Sequence, residues 1–274
     1  MGLAFVVVYK ASRMINFALG EWIMVSAGLV AAGLHAFSLG LAGAVAAACA
    51  GMILLALIFN RVVVRPLVGR PVIALIMVTL GLAALLRGAA FLTLRGIPGR
   101  ITLPLSGETL AAYDIFVAPE KLAAGAVAVV AVALIAAFFR WSRTGIALRA
   151  IADDQQIAMS MGIDLPTHLA LAWAAAGVIA VIAGTLWTAA VGGGLSLVLV
   201  GLKVFPVVVI GGLDSIPGTI VAAVLVGLLE TLAAGYLDPV VGAGFSNVAS
   251  YVVLIAMLFA RPHGLFGRPD VARV

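Results

Sequence analysis

Charge is scarce in this sequence. Only 10% of its 274 residues are Asp, Glu, Lys or Arg, against about 25% in a soluble domain. Hydrophobic residues fill 65% of positions, so too few polar side chains exist to clothe a surface in water. Cysteine is nearly absent as well. The single Cys49 lies inside an apolar block, closes no intrachain disulfide and reads as a small packing residue. Histidine is almost as rare: His35, His168 and His263 stand far apart, near the ends of apolar blocks. No HExxH, CxxC, Walker A or GxSxG pattern occurs, so the residues point to no hydrolytic site, no metal ligands, no cofactor and no P-loop for ATP. No catalytic residue is predicted.

What is there is a succession of long apolar blocks. A helix needs about 20 apolar residues to cross hydrocarbon, because its backbone polar groups must be satisfied within the segment. Barrel strands are shorter and alternate with period 2, which these blocks do not. The expectation is an all-α, polytopic transmembrane helical bundle forming a single domain over residues 1–274. The expected spans are Phe17–Phe37, Leu39–Phe59, Val72–Leu94, Leu122–Phe139, Leu169–Val191, Leu195–Leu213, Pro217–Leu237 and Phe245–Ala260. That makes about eight, plus an N-terminal stub. Between the third and fourth spans, residues 95–121 form a polar stretch in which Pro98, Pro104 and Pro119 argue against one continuous helix.

The formal charge of +5 would suggest nucleic acid in a soluble protein. Here the basic residues sit mostly between apolar blocks, in contact with lipid headgroups and water, and read as topology determinants. Threading the spans alternately puts Lys10, Arg13, Arg61, Arg65, Arg70, Arg140, Arg143, Arg149, Arg261, Arg268 and Arg273 on one side. Arg95, Arg100 and Lys121 fall on the other, offset by Glu108, Asp114 and Glu120. The positive-inside rule makes the richer side, with the C-terminus, cytoplasmic and the 95–121 loop periplasmic. Threading also wants a span arriving at Lys10 from outside, yet only nine residues precede it. Two readings stay open: a chain that begins part-way through its first helix, or an interfacial segment.

Residues 140–168 form the most informative polar segment. Arg149 and Asp153 are spaced i, i+4, and Ile146, Ala150, Ile157 and Met161 are expected to share one face of a helix over 144–165. Gly162 is placed to end that helix, and Pro166 prevents its continuation. A short amphipathic helix between two spans suits docking of a cytoplasmic partner; an ordinary solvated connector is the alternative. Polar groups at membrane depth are also candidates, because an ionisable side chain there is costly. Asn16 and Glu21 flank the first full span, where Glu21 has snorkelling or pairing with Arg13 open to it. Lys203, Glu230 and Arg87 fall within spans, and pairs among these three and Glu21 are expected to hold the bundle interior, or to form part of a translocation path. Gly192–Gly194 and Gly211–Gly212, with Pro206 and Pro217, predict interrupted helices of the kind that line such paths.

Five stretches resemble the permease subunits of branched-chain amino-acid (Liv-type) ABC importers. They are MINFALGE at Met14–Glu21, RPLVGRP at Arg65–Pro71, RTGIALRAIADDQQIAMSMGI at Arg143–Ile163, GLKVFPVVVIGGLDSIPGTIVA at Gly201–Ala222 and RPHGLFGR at Arg261–Arg268. They cover almost the whole chain in the family's order. The resemblance implies a bacterial-type inner-membrane subunit working with a second permease, two cytoplasmic ABC ATPases and a periplasmic or extracellular solute-binding protein, but not with nucleic acid. It implies an ATPase-docking segment carrying Thr144, Arg149, Asp153, Ala158 and Gly162. Ala158-x-x-x-Gly162 is similar to the loose EAA…G signature of ABC importers, although Gln156 stands where that signature has Glu. Branched-chain or related small amino acids and amides are the implied cargo. Two other classes compete: an ion-coupled secondary transporter or channel using Glu21 and Glu230 without ATPases, and a membrane scaffold that moves nothing.

Overall fold

The computed structural model describes residues 1–67, 70–97, 99, 101, 110–112, 115–117, 119–194, 196–242 and 244–267. In chain order its helices are α1 Gly2–Ser12, α2 Leu19–His35, α3 Leu41–Phe59, α4 Arg65–Leu67, α5 Val72–Thr93 and α6 Pro119–Trp141. They continue with α7 Arg143–Asp153, α8 Gln155–Ser160, α9 Leu165–Val191, α10 Ser196–Gly211, α11 Ile216–Leu232, α12 Asp238–Val241 and α13 Phe245–Ala260. Single π turns at Asn60–Val64 and Ala233–Leu237 join α3 to α4 and α11 to α12. Two three-residue strands, β1 Leu110–Ala112 and β2 Ile115–Val117, pair antiparallel within the polar stretch before α6. Pro98, Arg100, Pro104, Glu108, Asp114, Arg268 and Arg273 lie outside the described residues.

This is an all-α, multi-pass membrane architecture. Among the described residues, five helical stretches are long and apolar enough to cross a bilayer: Leu41–Leu67, Ile73–Thr93, Lys121–Trp141, Leu165–Ala190 and Ile216–Val241. The other three expected spans form shorter helices, α2 with 17 residues and α10 and α13 with 16 each. At 1.5 Å per residue these reach about 24–26 Å, short of the roughly 30 Å of hydrocarbon. The chain before α2 is bent around Asn16 and α10 begins after Gly192–Gly194, which shortens both, while α13 has its expected bounds and starts after the left-handed Gly244. Pro206 sits inside α10 without interrupting it, so it removes one backbone bond and not the helix. Pro217 occupies the first turn of α11, where no N–H is missed.

The core is built from α1, α2, α3 and α9, with α10 closing one side. More than half of the most apolar stretch of α9 is buried, and almost none of α6. Trp173 on α9 is the hub: its ring lies 5.7 Å from that of Trp22 on α2 and 4.9 Å from that of Phe59 on α3. Lipid tails are as apolar as leucine, so association here draws on close packing and interhelical hydrogen bonds. Both are present. Ser26 Oγ donates across to the Ala180 carbonyl at 2.8 Å, tying α2 to α9. At the α2–α10 crossing a Cβ on Gly201 would lie 2.3 Å from the Gly20 Cα, so only two glycines let these backbones meet. Outward-facing Leu54, Ile58, Leu85, Leu92, Val129 and Leu134 are exposed, which is the surface a bilayer solvates.

The N-terminal segment departs from one of its two expected readings. It is not a surface-lying interfacial piece: α1 buries Leu3, Ala4, Phe5, Val6, Val7, Val8 and Ala11 against α9, α10 and α11. With almost no polar face to offer water, it gains more inside the bundle than at an interface.

Candidate functional site

The segment between α6 and α9 folds back under the bundle. Ser142 caps α7, its Oγ accepting the Gly145 N–H at 2.8 Å. Gly145 permits the reversal, because a Cβ there would lie 2.5 Å from the Phe138 carbonyl oxygen and 2.6 Å from the Phe139 Cα. The single helix expected over 144–165 is in fact two. Asp154 leaves helical conformation and its Oδ1 accepts the Gln156 and Ile157 N–H groups at 2.8 and 3.0 Å, ending α7 and starting α8. A carboxylate that caps a new helix competes with continuation of the old one. Gly162 ends α8 as expected, with φ +84°. The Gly162 and Ile163 N–H groups return to the Met159 and Ala158 carbonyls at 3.0 and 3.1 Å, a Schellman closure.

Ile146, Ile157 and Met161, expected to share one helical face with Ala150, are 51%, 59% and 78% exposed, and Ala150 is half-buried. The residues turned inward are Leu148, Ile151, Ala152 and Ala158. Arg149 and Asp153 are exposed, Thr144 is half-buried, and Arg149 Nη2 donates to the Arg140 carbonyl at 3.4 Å. The segment is tied to the end of α1. Arg13, in left-handed conformation with φ 54°, donates through Nη2 to the Ala152 carbonyl at 2.7 Å. Gln155 Nε2 donates to the Ala11 carbonyl at 3.4 Å.

The charged groups at membrane depth resolve into two ion pairs. Glu21, almost wholly buried, is bonded to Arg87 Nη2, whose side chain is half exposed. Glu21 does not pair with Arg13, which the α7 end has taken. Lys203 Nζ meets Glu230 Oε2 at 3.1 Å, and Glu230 Oε1 is buried with no bonded partner among the described residues. Asn16 is buried, and its Oδ1 accepts the Ala18 N–H at 3.0 Å, closing the bend that starts α2. Thr79 on α5 supports the same bend by donating to the Ile15 carbonyl at 3.2 Å. The specific partner of Glu21 was not readable in the sequence, since Arg87 is 66 residues away.

A cavity of about 200 Å³ opens between α2, the end of α5 and the turn joining α9 to α10. Its walls are mainly apolar, with Met24, Ala27, Ala31 and Phe91 among them, and Thr188, Arg95 and the Gly193–Gly194 backbone add polar groups. The interruption expected at Gly192–Gly194 thus borders a cavity. Thr188 and Arg95 had no place among the expected site residues.

A family model described as branched-chain amino acid transport system / permease component matches residues 1–261. The high-affinity branched-chain amino acid transport system permease protein LivH of Escherichia coli (strain K12) is 34% identical over 139 residues, which are 50% of this chain and 44% of LivH. The chain therefore aligns with less than half the length of that relative. The permease protein BraD of Pseudomonas aeruginosa is 27% identical over 289 aligned positions, 100% of this chain and 92% of BraD. A probable LivH of Methanocaldococcus jannaschii is 31% identical over 46% of the chain and 41% of its own length. No solved structure matches the chain. With the five ordered motifs, the helical membrane bundle and a family model spanning nearly every residue, the chain belongs to the permease-component family of branched-chain amino acid transport systems.

Proposed function

We propose that the chain is the transmembrane permease subunit of an ABC importer for branched-chain or related small amino acids. In this reading it forms half of a translocation pore with a second permease. Two ATPases dock on the cytoplasmic side that carries α7, α8 and the C-terminus, and a solute-binding protein delivers cargo to the opposite side. The observation that carries the reading is the α7–α8 segment, which leaves Ile146, Ile157, Met159 and Met161 exposed while Arg13 and Gln155 anchor it to α1. A solvated connector has no need of four large apolar side chains on its outer face, whereas a docking surface does. Arg149, Asp153 and Gly162 belong to the accessible side of this surface. Buried Ala158 seats α8 from beneath, and Thr144 lies in the first turn of α7.

The ion-coupled alternative asks Glu21 and Glu230 to release and rebind ions. Their engagement with Arg87 and Lys203 weighs against it. Reconstitution with both ATPases, the second permease and the binding protein should give substrate-stimulated ATP hydrolysis, which the Arg149→Ala/Gly162→Ala double substitution uncouples. Normal coupling in that variant would remove the docking assignment. Uptake by this chain alone in proteoliposomes would favour the ion-coupled class, and no flux in any reconstitution would leave a scaffold.

A further inference from the structure

The cavity between α2, α5 and the α9–α10 turn contains an unanswered polar group. Thr188 is 1% exposed, lines the cavity, and its Oγ1 has no hydrogen-bond partner among the described residues. An apolar substitute would have avoided that cost, since a buried hydroxyl without a partner is destabilising. The Oγ1 itself is sealed in this rotamer, so a ligand in the cavity meets it once the Thr188 side chain turns about χ1. The other polar side chain is Arg95, whose guanidinium sits 5.8 Å from the centre of the Phe91 ring. That stacking holds the charge beside the wall that Phe91 itself forms. Arg95 is the only charged residue among the described lining residues.

Size and polarity together narrow the occupant. About 200 Å³ lies below the roughly 300–1,000 Å³ typical of drug-sized ligands and suits one small solute. The walls around Met24, Ala27, Ala31 and Phe91 match an aliphatic side chain. One cationic group without a carboxylate partner in the lining selects for an anionic group on the ligand and against a second positive charge.

We propose that this cavity is a binding site within the permease for one zwitterionic aliphatic amino acid. Arg95 takes the carboxylate, the Thr188 hydroxyl accepts from the ammonium, and the apolar wall takes the side chain. The assignment rests on the transport reading above and adds to it a place where the permease itself selects cargo. The Gly193–Gly194 turn lines the site, and a Cβ on Gly193 would lie 2.3 Å from the Gly99 carbonyl oxygen. Any larger residue there therefore opens the turn.

The test uses the assembled complex, in which Cys49, the chain's single cysteine, serves as the reporter of general effects. Ala27→Cys is introduced and labelling by methyl methanethiosulfonate is followed at both thiols. L-Leucine should slow labelling at position 27 and leave Cys49 unchanged, while L-lysine protects neither. Thr188→Val and Arg95→Gln should each raise the half-protecting leucine concentration about tenfold, the loss of one buried or charged hydrogen bond. Ala90→Cys, also in the lining, replaces Ala27→Cys if that variant does not assemble.

Absence of labelling without leucine, equal protection by lysine, or wild-type protection in both polar variants would each overturn the site. So would labelling governed by phosphatidylglycerol against phosphatidylcholine in nanodiscs and indifferent to leucine, which would give the cavity to lipid. Protection without ATP-driven uptake would keep the site and overturn the transport reading. Uptake without protection would do the reverse.

Discussion

Replacing Arg87 by leucine should destabilise the protein more than replacing its partner Glu21 by glutamine. The two residues form one ion pair, but their surroundings differ sharply: the Glu21 side chain is 3% exposed and that of Arg87 is 54% exposed. Arg87→Leu strands a carboxylate that cannot reach water. Breaking a buried pair in this way costs about 3–5 kcal/mol. Glu21→Gln strands a guanidinium six residues before the end of α5 at Thr93. That is about 9 Å along the helix axis, a distance its long stem largely covers by snorkelling. Its cost should be about 1–2 kcal/mol, the lower value being that of an exposed pair. The double variant removes both charges and should recover to near the Glu21→Gln level, giving a coupling of about 3–5 kcal/mol, the whole cost of Arg87→Leu. Unfolding in detergent titrated with SDS, followed by tryptophan fluorescence, supplies the four free energies. Equal costs for the two single variants, or a double variant as unstable as Arg87→Leu alone, would refute the claim that burial of the carboxylate sets the energetics.

Two further expectations address the packing and the coupling segment. Gly201→Ala places a methyl group against the Gly20 backbone and should cost about 1–3 kcal/mol by forcing α2 and α10 apart; the same unfolding titration reads it, and an unchanged midpoint would contradict the close crossing. At Arg13, glycine should be more stable than alanine by about 1 kcal/mol, because both lose the bond to Ala152 but only alanine keeps the left-handed strain. Thermal midpoints compare the pair, and both variants should show weakened substrate stimulation of ATP hydrolysis in the reconstituted complex.

The membrane bundle was legible because its signal is compositional. Blocks such as Val72–Leu94 and Leu169–Val191 are apolar apart from a few isolated polar residues, and the helices found there begin and end within four residues of the expected positions. Caps and stops were readable for the same local reason: Gly162 ends α8, and Pro217 opens α11. The α7–α8 break was harder to see. Asp154 is compatible with a helix interior or with a cap, and the choice depends on what Leu148, Ile151 and Ala158 find to pack against.

The site divides along the same line. Sequence singled out Glu21, Lys203 and Glu230 because a charge in an apolar run stands out wherever the chain goes. It left Thr188 and Arg95 unmarked, since a threonine in a helix and an arginine at its end are ordinary until the backbone brings them to one cavity.

By itself, then, the sequence determined that this chain spans a bilayer as helices, because hydrocarbon admits no backbone that leaves its own polar groups unpaired. It also determined the family, through motifs whose order is a property of the chain alone. Only the tertiary structure decided which charge answers which. Pairing Glu21 with Arg87, and Arg13 with the end of α7, joins residues 66 and 139 positions apart, and no local preference reaches that far. The exposed face of α7 and α8 was decided there too, since burial is a relation between segments and not a property of one.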